Sequence, residues 1–352
     1  MEAWYYNHLP KEYRPVYHAI YEGLKKLQQE IIIPRIDPKL LSDIYIQIRM
    51  DHPEIFYTDT YRTRSYSHAD SVQLLPEYLF EPKKIVTHRD AMQARVTKLA
   101  RAAQGLDEAG RLQYVHDFIC GNVRYDKLKK SYSHEIIGPL GQGVGVCEGI
   151  AKSVKILCNA LDIPCIIALC DNNPERHIRY RHMWNVVRMG GKYYHLDATF
   201  DNSLGSPQQI RYDYYLLGDS RHFRDHEPVI WPVPSCPDND MFYYRQKKLS
   251  FTKTEDVRKR AAQAIKKKRT FIFHWRGGYL TRAVLQELLE IIQQEAEAAG
   301  KFVGISVNRP QAVLCIEPRE QSAAVNMQQT NEGEEEAPLY DEPDEAENTA
   351  ET

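Results

Sequence analysis

Apolar residues recur at helical spacing over 11–29 (KEYRPVYHAIYEGLKKLQQ), which predicts a first helix. Asp37 followed by Pro38 reads as an N-cap with proline in the first turn. A second helix is expected near 38–50, broken by Asp51-His52-Pro53-Glu54. Residues 71–77 (SVQLLPE) predict a short strand. Segments 88–104 and 107–122 read as two more helices, with Gly105 and Gly121 near their ends. The following stretch, 123–146, holds four glycines (138, 141, 143 and 145) and reads as a long loop. Loops of that length usually carry function or are disordered.

Periodicity returns at 147–161 (CEGIAKSVKILCNAL), a predicted helix. Ile150, Val154, Leu157 and Leu161 share one face, and Lys152, Lys155 and Asn159 lie on another. Residues 163–170 (IPCIIALC) predict an apolar strand. Residues 182–189 and 192–199 predict two more strands, joined by Gly190-Gly191 as a hairpin turn. A strand over 270–275, a helix over 282–299 and a hairpin of 302–307 with 312–317 form a small βαββ unit. From about 320 the chain is polar, acidic and poor in aromatics, which predicts disorder. The expected organisation is a mostly helical N-terminal region (1–105), a core (106–235), a basic segment with the βαββ unit (236–320) and an acidic tail (321–352). The fold class is α+β.

Charge sharpens the division. The net charge of −2 hides ten Asp or Glu and no Lys or Arg in 331–352, so the other 330 residues carry +8. Residues 245–269 hold eleven Lys or Arg against two acids, read as a solvated helix face in preference to a nucleic-acid surface. The first residues show no basic stretch followed by an apolar run, and no window approaches 18 apolar residues. No secretory leader and no membrane partner are expected. The seven cysteines (120, 147, 158, 165, 170, 236 and 315) are odd in number and lack a CxxC pair, which fits reduced thiols in a cytoplasmic protein. The oligomeric state stays open.

The hairpin makes a geometric prediction. With a two-residue turn, Met189 faces Lys192, Trp184 faces Asp197 and His182 faces Thr199. His182, Trp184, His195 and Asp197 then project from one side of the sheet, with His182 and Asp197 as diagonal neighbours. A carboxylate so placed fixes the imidazole tautomer and favours the imidazolium. Cys147 follows glycine-rich sequence at a predicted helix start, where partial positive charge and free N–H groups favour a thiolate and can hold an oxyanion. Nucleophile, base, orienter and donor are thus all present. Cys158 lies well inside the helix, and Cys165 and Cys170 lie in the apolar strand, so all three read as core. Cys120, Cys236 and Cys315 have no attractive partner in sequence.

These residues resemble the transglutaminase-like superfamily, through GVCEGIAKSVKILCNALDIPCIIA (145–168), HMWNVV (182–187) and KYYHLDATFD (192–201). Asp162 stands where the family's turn usually has Gly. DHPEIFY (51–57), Tyr125-Asp126 and YDYYLLGDSRHFRDH (212–226) extend the likeness to bacterial members. The resemblance implies a papain-like core, with Cys147 as nucleophile, His182 as base, Asp197 as acid and Trp184 as a packing or shielding residue. It leaves the second oxyanion donor open between Gln142 and Tyr125. It also implies a thiol-dependent acyl-transfer enzyme. A cysteine peptidase or amide hydrolase with a peptide or protein substrate is favoured over a protein-glutamine γ-glutamyltransferase or another amine acyltransferase. A non-catalytic interaction module is the remaining alternative. Gly-Val-Gly-Val before Cys147 argues against the arylamine N-acetyltransferase motif, which sets Arg-Gly-Gly there. No cofactor is called for. His222 and His226 are spaced i, i+4 but lack a zincin's Glu, so they are expected to close the core beside the triad and not to bind metal.

Overall fold

A computed structural model describes residues 3–66, 68–176 and 181–319. The expected disordered tail, 321–352, lies outside the described residues. Two compact units emerge. One comprises the described residues to Asn172 and from Arg181 to Ser250, and the other comprises residues 173–176 and those from Phe251 on.

The first unit opens with helices Trp4–His8, Arg14–Lys25 and Pro38–Asp51. Asp37 caps the third, its carboxylate accepting from the amides of Lys39 and Leu40. The region expected to be mostly helical also contains a three-stranded antiparallel sheet in the order Ile31–Pro34, Ser71–Tyr78, Thr58–Arg64. Ile31 and Ile33 alternate inward from the short strand, a pattern too brief to register as strand periodicity in the sequence.

Helices Pro82–Ala103 and Glu108–Asn122 lead to helix Cys147–Ala160, which packs on strand His182–Met189. Ile150, Val154 and Leu157 face the core as expected, but Lys152 and Lys155 are buried too. The helix is therefore enclosed on both faces. A four-stranded antiparallel sheet runs in the order Cys165–Cys170, His182–Met189, Lys192–Leu196, Tyr215–Leu217. The hairpin has the expected register, Met189 opposite Lys192 through to Asn185 opposite Leu196. The second strand then stops at Leu196, short of the expected 199, because Asp197 caps a new helix, Ala198–Leu204.

The expected loop 123–146 is densely structured. Arg124–Tyr125 pairs in parallel with Val144–Gly145, and a π-helical turn, Ile137–Gln142, ends at Gly143 with φ 66°. Asp126 accepts from the amides of Leu128 and Lys130 and from the Ser133 hydroxyl. The Ser133 carbonyl in turn accepts from the Val146 amide at 3.0 Å, directly before helix Cys147–Ala160. A Cβ on Gly149 would stand 2.2 Å from that same carbonyl oxygen, so only glycine fits there.

The second unit contains the predicted strand-helix-hairpin, Phe271–Trp275, Arg282–Ala298, Phe302–Asn308 and Val313–Arg319. The basic segment forms helix Thr254–Lys266, which buries Val257, Ala261 and Ile265 and leaves Lys259, Arg260 and Lys266 exposed.

Candidate active site

Cys147 is the first residue of its helix, after Val146 in extended conformation. It is partly exposed, whereas the other six cysteines are buried. Only this thiol combines solvent access with a helix N-terminus.

His182 begins its strand, and its Nε2 lies 2.6 Å from Asp197 Oδ2. The Cys147 thiol interacts with the same ring. Burial opposes charge on His182, but the Asp197 carboxylate and Cys147 overcome it, and the ring's pKa rises well above the ordinary histidine value. Burial likewise opposes the Asp197 carboxylate, and the charge and hydrogen bonds of His182 and His226 hold its pKa well below the ordinary range.

Asp197 reaches His182 by a route different from the predicted diagonal strand pair. It sits past the strand end with its amide bonded to Tyr214 O at 3.0 Å, and its Oδ1 accepts from the amides of Thr199 (2.8 Å) and Phe200 (3.0 Å). Its Oδ2 accepts from His182 and, at 2.9 Å, from His226 Nε2. One buried carboxylate thus takes four hydrogen bonds.

Trp184 is 1% exposed and stacks beside His182, centroids 6.0 Å apart at 19°. Its indole N–H donates to His195 Nδ1 at 3.0 Å. An indole nitrogen can only donate, so His195 carries its proton on Nε2 and gives it to Asp219 Oδ1 at 2.9 Å. His222 lies flat on His195, 4.1 Å away at 7°, and 3.8 Å from the His226 ring. Both i, i+4 histidines therefore do close the core beside His182.

Tyr125 pairs with Gly145, two residues before Cys147, and is 40% exposed. Gln142 ends the π-helical turn and is exposed. Tyr125 thus lies beside the segment that enters helix Cys147–Ala160, and Gln142 precedes that helix by five residues in sequence.

Three features escaped the sequence. Cys120, expected to lack partners, has His116 Nε2 at 3.5 Å, and the same nitrogen lies 3.0 Å from Asp201 Oδ2. This second Cys-His-Asp set is sealed in the core, where burial raises the Cys120 pKa. The i, i+4 spacing of His116 and Cys120 was its only signal. Behind Cys147 lies a buried charge cluster. Arg49 Nη2 contacts Glu135 at 2.5 Å and Glu148 at 3.1 Å, and Lys152 bonds the same two acids at 2.7 and 2.8 Å. The third feature is the bonding of His226 to both Asp197 and Asp225, since the sequence placed His226 only as closing the core.

Among the described residues, two groups of side chains bring ligand-type atoms within 4.8 Å of one another: His182, Asp197 and His226, and His195, Asp219 and Cys236. In the first, hydrogen bonds between the members account for the spacing. In the second, the proton on His195 Nε2 occupies the lone pair an ion would need.

Residues 96–198 match the model of the transglutaminase-like superfamily. No curated protein matches the chain. Among solved structures, a Cytophaga hutchinsonii protein, named provisionally as a cysteine protease, aligns at 17% identity and TM-score 0.27, covering 40% of this chain and 61% of its own. A protein named a TGase aligns at 13% identity and TM-score 0.27, covering 48% and 50%. A Parabacteroides distasonis protein, named provisionally as a protease, aligns at 14% identity and TM-score 0.24, covering 40% and 36%. The chain thus spans under two thirds of the length of each of these three. Among the described residues, no helix is long and apolar enough to cross a membrane.

Proposed function

We propose, from the premise that residues 96–198 belong to the transglutaminase-like superfamily, that the chain is a thiol-dependent amide hydrolase acting on peptides or proteins through Cys147, His182 and Asp197. The observation that carries this reading is the 2.6 Å bond from His182 to Asp197, on a ring that also interacts with the accessible thiol of Cys147.

The reacting pair is the Cys147 thiolate with the His182 imidazolium, the ring form that the Asp197 carboxylate favours. The thiolate attacks the amide carbonyl carbon and pushes the carbonyl electrons onto oxygen. The Cys147 amide N–H, with Gln142 or Tyr125 as the second donor, holds that oxyanion. Its collapse breaks the C–N bond, and His182 gives its proton to the leaving amine. The thioester then reacts with water, whose proton passes to His182. Expulsion of the thiolate releases the carboxylic acid and restores the pair. Asp197 keeps the ring oriented throughout. Part exposure of Cys147 lets water reach the thioester, which favours hydrolysis over transfer.

The test is incubation of wild type and Cys147→Ala with a peptide library and an amine acceptor, read by mass spectrometry. Hydrolysed or deamidated peptides from wild type alone are expected. Amine adducts would redirect the reading to acyl transfer. No Cys147-dependent product would turn it toward a non-catalytic module.

A further inference from the structure

We propose that His226, held as a cation between Asp197 and Asp225, is a positioning residue that shares the Asp197 carboxylate with His182 and so sets how tightly His182 holds its proton. The proposal rests on the thiol reading above.

His226 is 3% exposed and follows the short helix Asp219–His222. Its Nε2 lies 2.9 Å from Asp197 Oδ2 and its Nδ1 lies 3.0 Å from Asp225 Oδ1. An ionised carboxylate oxygen only accepts, so both ring nitrogens must donate, and a ring that donates twice is an imidazolium. Asp225 is itself held as an acceptor, because the Tyr214 hydroxyl donates to its other oxygen. The chain of contacts therefore runs from Cys147 through His182, Asp197, His226 and Asp225 to Tyr214.

Among the described residues, these groups face His226. Asp197 approaches from the end of one strand and His182 from its neighbour, with ring centroids 5.5 Å apart. His222 approaches from the preceding helix at 3.8 Å. The Tyr214 ring stands at 5.5 Å, and the Phe200 and Trp184 rings close the walls at 4.5 and 5.3 Å. Asp225 and Glu227 flank it in sequence. His195 is neutral by its tautomer, and His222 is driven neutral by burial and by the charge of His226. The two rings that touch Asp197 are thus the charged ones. Burial works against a charge on His226, yet its bonds to Asp197 and Asp225 raise its pKa.

Sharing has a chemical consequence. Unshared, the Asp197 carboxylate would hold the His182 imidazolium more firmly and make it a poorer acid toward a leaving amine. A second cation on the same oxygen draws off part of that attraction and repels the His182 charge, which leaves His182 a better acid toward that amine. Unit charges 5.5 Å apart, at an effective dielectric of about 20, change a neighbour's titration midpoint by about two pH units.

The experiment is a titration of the ring 15N resonances of His182 and His226 in the full chain, which needs no substrate and no chemistry at Cys147. In wild type, His226 is expected to keep both nitrogens protonated through pH 8. In His226→Gln, which retains a donor but no charge, the His182 midpoint is expected to rise by about one unit or more. A neutral His226 at pH 7 overturns the proposal, as does an unmoved His182 midpoint, the result a merely structural role would give. Should His226→Gln not fold, Asp225→Asn withdraws the anion that holds the cation, and the same rise at His182 is required of it. Iodoacetamide labelling of Cys147 in wild type and His182→Ala reads the parent mechanism separately. Labelling no faster than a model thiol, with His182 still responding to His226→Gln, would sink the thiol reading and leave the coupling standing.

Discussion

At the scale of single residues, the site is a lesson in how neighbouring histidines are driven apart in charge. His182 and His226 touch a carboxylate and gain protons, while His222, buried with no hydrogen-bond partner at either ring nitrogen, is forced neutral. The sign of the stability effect follows. A histidine whose folded pKa is depressed binds fewer protons than the unfolded chain once the pH falls below about 6.5, so folding loses stability there by up to about 1.4 kcal/mol per pH unit. His182 and His226 act in the opposite sense. Their folded pKa values are raised, so their contribution is complete below about 6.5 and is lost as the pH climbs through the folded values. His222→Phe keeps a ring against His195 and His226 but removes the titration. Thermal unfolding from pH 7 to pH 5 should therefore show a smaller loss of Tm in His222→Phe than in wild type. Equal losses would mean that His222 is not the neutral buried group described.

At the scale of elements, the start of helix Cys147–Ala160 is fixed by the loop that precedes it. The Ser133 carbonyl receives the Val146 amide and leaves no room for a side chain at position 149. Gly149→Ala puts a carbon 2.2 Å from a backbone oxygen, a clash that only a shift of the helix start can relieve. The expected cost is about 1–3 kcal/mol, the range of overpacking a well-packed interior, together with slower labelling of Cys147. Gly105→Ala, where the new carbon meets nothing within 4 Å, is the control. Urea unfolding and iodoacetamide rates for both variants check this, and equal behaviour would refute it. The helix itself was legible because Ile150, Val154 and Leu157 repeat at its period. The loop was not, because the Asp126, Ser133 and Val146 contacts join residues with no periodic pattern between them. The same reason explains Asp197. Hairpin register predicted that it would lie near His182, but the strand ended one residue earlier, and the carboxylate reached the ring as a helix cap. A local preference of Asp for capping outcompeted one more strand pair.

At the scale of the whole molecule, charge is distributed as unevenly as structure. The match to a family covers residues 96–198, the candidate site lies between Cys147 and His226, and the acidic excess lies beyond it. Residues 331–352 contribute −10 to a chain whose net charge is −2, so a protein ending at 330 carries +8. The helix Thr254–Lys266 shows the corresponding surface, with Lys259, Arg260 and Lys266 exposed on the side away from its buried Val257, Ala261 and Ile265. A net charge of that sign and size attracts polyanions through screened Coulomb forces, which fade once the Debye length falls to a few ångströms at about 1 M salt. Removal of residues 331–352 should therefore convert a chain that passes through a heparin column at low ionic strength into one that is retained and then released as salt rises. The tail and the titration of His182 are far apart in sequence and different in kind, so the same truncation should leave Cys147 labelling at moderate salt unchanged. Retention of the full chain equal to that of the shortened one would show that the acidic tail does not offset the basic body.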